Sequence, residues 1–162
     1  VKKGFTLIEL LVVVAIVGIL SAIAIPNLLV AVQRAKQRRT MIDIRDMATA
    51  WEARNTEQGG YNAAGGVEGA DQEIKIDDVK TMLSPTYIRT LPTKDAWGNE
   101  FACFADQAMG SGVKAQKYAI ISGGHDGNIS SQFFAGAFTN YDCDIVYSQG
   151  VFISYPDGVL AK

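Results

Sequence analysis

Between Phe5 and Gln33 the chain carries a single charge, Glu9, and this constrains its fold more than any other feature. The 28 residues from Phe5 to Val32 would make a straight helix of ~42 Å at ~1.5 Å per residue. A bilayer hydrocarbon core of ~30 Å needs only about 20 apolar residues. The stretch is apolar on every side, and a helix of that kind must be surrounded by lipid or by other protein. The overall apolar content of 48 % owes much to this one segment.

The pattern changes after Gln33 without a helix-ending signal. A short polar and basic run, Gln33 to Arg39, leads into Met41, Ile44, Met47, Ala48 and Trp51, spaced by three and four residues, with Asp43, Arg45, Asp46 and Glu52 off that face. Such spacing marks one side of an α-helix. The reading is one helix of about 50 residues, ending near Asn55 before Gly59-Gly60, with its first half apolar all round and its second amphipathic. Pro26 removes a backbone donor and is expected to kink it, and Gly18 weakens it.

Residues 56–72 are rich in Gly, Ala and Asn and read as a loop, followed by a short helix from Asp77 to Leu83 that stops at Ser84-Pro85. Beyond Leu91-Pro92 come three short β-branched or aromatic runs bounded by Gly, Asn and Asp: Glu100 to Phe104, Lys117 to Ile121 and Val151 to Tyr155. They read as antiparallel strands, with Asp95-Ala96-Trp97-Gly98-Asn99 as the turn opening the first. The fold class is α+β: a long N-terminal helix packed by its C-terminal half on a small antiparallel sheet, with a long C-terminal loop region.

Charge follows the same division. Residues 1–39 hold six bases (Lys2, Lys3, Arg34, Lys36, Arg38, Arg39) and one acid, whereas residues 40–162 hold nine bases and sixteen acids. The second part is net −7 and repels nucleic acid. No Ser–His–Asp arrangement, phosphate-binding loop or zinc spacing occurs, so nothing points to an enzyme. The lone His125 lies three residues from Ser122 in one Gly-rich turn and reads as a solvated loop residue, because a catalytic triad lacks its other parts. Cys103 and Cys143 are too few for a zinc site. They are either two small buried residues or, outside the cytoplasm, a disulfide.

Three readings of the N-terminus compete. A secretory signal would use Lys2-Lys3 and a small-x-small site at Ala22-Ile23-Ala24, but Glu9 interrupts the start of the apolar run and the run continues past that site. A plain membrane anchor leaves the carboxylate of Glu9 unexplained, since a buried charge is costly unless paired. The third reading rests on resemblance. Gly4-Phe5-Thr6-Leu7-Ile8-Glu9-Leu10-Leu11-Val12, continued by Val17-Gly18 to Pro26-Asn27-Leu28, resembles the class III signal and helix of type IV pilins and type II secretion pseudopilins. The resemblance implies a leader at residues 1–4, cleavage between Gly4 and Phe5 by a prepilin peptidase with methylation of the new amine, a transmembrane and filament-core half-helix at 5–33, and a globular domain at 34–162. It also gives Glu9 a partner, the Phe5 amine of a neighbouring copy, and makes Gly18 to Pro26 the stretch that unwinds in filaments. The basic cluster at Arg34 to Arg39 reads as a headgroup-contacting or neighbour-pairing face.

A second resemblance covers the C-terminal part. Leu91-Pro92, Asp95 to Phe101, Tyr118 to Gly127 and Asp144-Ile145 look like the major pseudopilin of type II secretion. The resemblance implies a calcium ion held by Asp126 and Asp144, with Asp142 standing in for the acid that Cys143 replaces and Ser122 and its neighbours offering carbonyls. It further implies, as partners, copies of the chain, minor pseudopilins or pilins, an inner-membrane assembly platform and the membrane. The subunit is then inner-membrane with a cytoplasmic N-terminus, and later part of a periplasmic or cell-surface filament. The alternative is a surface type IV pilin for adhesion or motility, suited by the long loops Asn62 to Gln72 and Asn128 to Tyr141 and by the two cysteines. A domain acting as a binding module would use an aromatic patch at Phe133-Phe134 and Phe138, although such aromatics more often belong to a strand core.

Overall fold

A computed structural model describes residues 4–61, 73–107, 112–130 and 135–158 of the chain. The loop Asn62 to Gln72 and the pair Phe133-Phe134, singled out above, lie outside these residues, as do Lys2 and Lys3. The chain divides into two units, residues 1–35 and 36–162.

Helix α1 runs from Leu7 to Gln58 and continues through both Gly18 and Pro26. Its start is fixed by Thr6 at the N-cap and Glu9 three residues on. The Thr6 N–H and hydroxyl donate to Glu9 Oε2 at 2.8 and 2.7 Å, and the Glu9 N–H donates to Thr6 Oγ1 at 3.3 Å. This capping box satisfies backbone donors that helix geometry leaves unpaired. Pro26 has no N–H for the carbonyl of Ala22. One position along, the side-chain amide of Asn27 donates to Ile23 O at 3.2 Å. The helix ends three residues beyond the expected Asn55. No breaker precedes Gly59, which adopts φ +71° and donates its N–H to Asn55 O at 2.7 Å, a left-handed cap suited to glycine.

In the second unit, the face of α1 that is buried comprises Gln37, Thr40, Met41, Ile44, Met47, Ala48, Ala50 and Trp51, which contains the apolar face expected from the spacing. It meets a core in which Trp51 lies 5.3 Å from the ring of Tyr118 and Tyr61 lies 4.5 Å from the same ring. The indole N–H of Trp51 donates to Tyr61 O at 2.7 Å, so this large side chain is buried with its polar atom paired. Helix α2, Ile76–Leu83, adds Ile76, Val79 and Leu83 to the core.

The sheet has six strands in the order β1-β2-β3-β5-β6-β4: β1 Glu73–Ile74, β2 Ala102–Ala105, β3 Tyr118–Ser122, β4 Gly136–Phe138, β5 Ile145–Ser148 and β6 Val151–Pro156. The three expected strands correspond to β2, β3 and β6. The segment Asn128 to Tyr141, read as loop, contains β4, and the residues after Asp144 form β5. The sheet is also not wholly antiparallel, because β4 pairs in parallel with β6. The hairpin from β5 to β6 places β6 between β5 and the earlier β4, which then runs in the same direction as β6. That hairpin turns on Gln149 and Gly150, both with positive φ of 53° and 86°, the backbone of a two-residue turn matched to strand twist. Phe138 is a buried strand residue and joins the core, so it is not an exposed contact patch.

Candidate functional site: an uncovered half-helix and a bonded loop cluster

Two regions carry the expected functional residues. The first is the N-terminal half of α1. From Phe5 to Val32 its apolar side chains are exposed, with Leu7 81 % and Leu28 63 % accessible, and the apolar window long enough to cross a membrane has none of its residues buried. Gly4, Phe5 and Glu9 are exposed at its start and Gly18 and Pro26 lie within it. Thr6 is the residue that sequence reasoning passed over. The signal was present as Thr-x-x-Glu, and the assembly role assigned to Glu9 obscured its local one.

The second region lies where the turn Asp95 to Asn99 meets the loops that follow β3 and β4. Asp95 is buried, and its Oδ1 accepts the N–H groups of Trp97, Gly98 and Asn99, each at 2.9 Å. Its Oδ2 accepts the hydroxyl of Ser122 at 2.8 Å. A buried carboxylate is tolerated when donors surround it in this way. The Asn99 amide donates to Gly124 O at 2.9 Å, and the Ala96 N–H donates to Thr40 Oγ1 on α1 at 3.2 Å. The turn therefore binds α1 on one side and the loop after β3 on the other. Two glycines make this approach possible. A Cβ on Gly124, at φ +65°, would lie 2.8 Å from the carbonyls of Tyr141 and Cys143, and one on Gly127, at φ +72°, would lie 2.8 Å from the Asn99 side chain.

The candidate calcium residues occupy this cluster unequally. Ser122 is wholly buried at the end of β3, its hydroxyl committed to Asp95. Asp126 is exposed and both its oxygens accept from Asn128, at 3.0 and 3.2 Å; those bonds hold its pKa below the usual carboxylate value. Asp142 Oδ1 lies 2.9 Å from His125 Nδ1, and the His125 N–H donates to Tyr141 O at 2.9 Å, so the sole histidine ties the two loops together. Asp144 is buried. Its Oδ2 accepts the Ser130 N–H at 2.8 Å, and its Oδ1 is buried with no hydrogen-bond partner among the described residues. An orphaned buried carboxylate oxygen is costly and suits a hard cation that binds through oxygen. Among the described residues no three His, Cys, Asp or Glu side chains converge as a ready set of ligands, so Asp126 and Asp142 would exchange their present partners to join Asp144.

The disulfide left open by the sequence is not formed: Cys103 and Cys143 are both free thiols. Cys103 is fully buried in β2, and burial pushes its thiol up to about 12. Burial first, then Asp144, raises that of Cys143. Neither has the electropositive surroundings of a reactive cysteine.

A helix capped at Thr6, uncovered along its apolar half and packed by its other half on a small sheet defines a pilin-like subunit. The family description "Prokaryotic N-terminal methylation motif" matches residues 1–25. The chain is 30 % identical to the type II secretion system core protein G of Vibrio cholerae over 140 residues, which is 82 % of this chain and 95 % of that protein. It is 26 % identical to the protein of the same name from Escherichia coli K12 over 135 residues, 81 % and 87 % of the two chains. The type IV major fimbrial protein FimA of Dichelobacter nodosus is 53 % identical over only 51 residues, 32 % of this chain and 33 % of that one. No solved structure matches. The chain belongs to the family of the type II secretion system core protein G, the major pseudopilins, and is a filament-forming structural subunit.

Proposed function

We propose that the protein is anchored by Phe5 to Val32 in the inner membrane, with its N-terminus cytoplasmic, and then packs by the same half-helix into a periplasmic pseudopilus of a type II secretion system. The observation that carries this is the run of uncovered apolar side chains on α1, opened by the single carboxylate of Glu9. In lipid that carboxylate is costly alone. Cleavage after Gly4 and methylation of Phe5 by a prepilin peptidase would set a cationic amine four residues away. An axially staggered neighbour then brings its amine to Glu9, and only that register neutralises both charges. The role is structural rather than catalytic. Its partners are copies of itself, minor pseudopilins and the inner-membrane assembly platform, with no part for nucleic acid.

A calcium ion extends this reading. Asp144, with Asp126, Asp142 and backbone carbonyls of the loop after Ser122, would hold it. Bound there, a divalent cation supplies positive charge to carboxylates on two loops and so closes one against the other. The orphaned Oδ1 of Asp144 supports the assignment.

The test of the main reading is mass spectrometry of the membrane-extracted protein together with electron microscopy of producing cells. A mature chain beginning at N-methylated Phe5, in cells that form filaments dependent on this gene, is the expected result. A mature start after Ala24 would refute it.

A further inference from the structure

The apolar half of α1 gives way to four bases in six residues, Arg34, Lys36, Arg38 and Arg39. Arg34, Arg38 and Arg39 are exposed and Lys36 is half-buried. No acid occurs between Glu9 and Asp43. Among the described residues one carboxylate approaches the cluster: Asp43 Oδ2 lies 3.6 Å from Arg39 Nε, the arginine side chain 76 % and the aspartate 19 % exposed, and a single long contact to a solvated guanidinium is weak. The cluster thus enters its surroundings with most of its charge unanswered.

Position and arrangement say what answers it. Arg34 stands 29 residues from Phe5, or ~43 Å along a helix, and a bilayer with its headgroup layers measures ~40–45 Å. With Phe5 at one interface, Arg34 therefore reaches the opposite headgroup layer and the other three follow within the next turn and a half. At about 100° per residue the four bases spread over roughly 200° of the helix circumference. A single neighbouring subunit would present acids to one side; a headgroup layer surrounds the helix.

We propose that Arg34, Lys36, Arg38 and Arg39 form a collar that binds anionic phospholipid headgroups in the leaflet at the C-terminal end of the apolar stretch. The proposal rests on the membrane reading given above. Each base near an anionic surface multiplies the preference for it about fivefold, and salt weakens the effect where the charges are exposed. The collar holds the unassembled subunit at a fixed depth, and entry into a filament has to strip those lipids away.

The full chain reconstituted in phosphatidylcholine bilayers containing phosphatidylglycerol tests this, with the lipids that co-purify on mild detergent release identified by native mass spectrometry. Wild type should carry phosphatidylglycerol enriched several-fold over the bulk mixture, and less in high salt. The combined variant Arg34→Gln, Lys36→Gln, Arg38→Gln, Arg39→Gln should lose the enrichment, and a variant with the three arginines changed to lysine should keep it. Equal enrichment in wild type and the glutamine variant overturns the collar. So does a glutamine variant that retains wild-type lipids yet fails to form filaments, which would assign the bases to an acidic face of a neighbour. Wild-type protein that alkaline carbonate extracts from the membrane would refute the membrane reading itself, whereas an integral protein without lipid preference refutes the collar alone.

Discussion

Thr6 and Glu9 complete one another at the start of α1, with a single carboxylate oxygen of Glu9 taking both the N–H and the hydroxyl of Thr6 at 2.8 and 2.7 Å. The residue assigned to filament register is thus already satisfied inside a lone subunit, and assembly must offer it something better than a cap.

That double role separates two substitutions. Thr6→Val removes the cap alone, a loss of about 1 kcal/mol in helix stability, and should leave filament yield near wild type. Glu9→Ala should leave the protein membrane-inserted and folded but reduce filament yield at least tenfold, as counted by electron microscopy. Wild-type yield from Glu9→Ala would remove Glu9 from the assembly mechanism.

Asp95 should prove far more sensitive than its place in an exposed-looking turn suggests. Replacing it with Ala removes the side-chain acceptor of three backbone N–H groups and of the Ser122 hydroxyl, while the Gly98 N–H keeps its bond to the carbonyl of residue 95, at a cost of about 3 kcal/mol. The detergent-solubilised variant should melt several degrees below wild type, and the amides of Gly124 and His125 should exchange faster with solvent. A variant as stable as wild type would mean that the turn is held mainly by other contacts.

Tyr118 predicts a loss of stability in alkali. Its hydroxyl donates to the Glu52 carboxylate, and burial, then that bond, raise its pKa well above the usual tyrosine value. An unfolded tyrosine ionises near pH ~10. Above that pH the unfolded state binds fewer protons than the folded one, so the contribution, fully present below it, is lost as pH rises. Melting temperature should fall beyond about pH 10, and less steeply in Tyr118→Phe. Part of the slope will persist, because burial also raises Tyr61 and Tyr147. An identical slope in the variant would show that Tyr118 ionises as freely folded as unfolded.

Calcium should raise the melting temperature of the full chain in detergent, by an amount set by mass action, about 2.7 kcal/mol at 100 times the dissociation constant. Asp144→Asn should abolish that rise, and Asp126→Ala should reduce it. Magnesium should do less, because it demands tighter octahedral geometry. No shift with wild type at millimolar calcium would leave the orphaned oxygen of Asp144 as a local cost of the loop.

Much of this architecture was legible because periodicity is a local property. Met41 to Trp51 repeat at helical spacing, and the runs at Phe104, Ile120 and Phe152 are short and rich in strand formers, so α1, β2, β3 and β6 could be read directly. β4 could not: Gly136-Ala137-Phe138 is three residues long, has no alternation and exists because β6 supplies its partner. β5, Ile145–Ser148, has the composition of a strand but follows a cluster of acids that drew attention to metal binding. The candidate loop cluster was legible as a set of motifs and not as a network. Asp95 reads locally as a turn residue, and only the folded chain brings Ser122, 27 positions away, to its other oxygen.

A protein that polymerises must be kept from doing so by the wrong route. Here the outer strands of the sheet are β1, two residues long, and β4, three residues long. Strand-to-strand joining between copies needs a longer open edge to template it, and these edges offer little purchase. In the proposed filament, growth is left to the helices. A subunit crowded among copies of itself is thereby spared the irreversible, amyloid-like end that a wider sheet would invite.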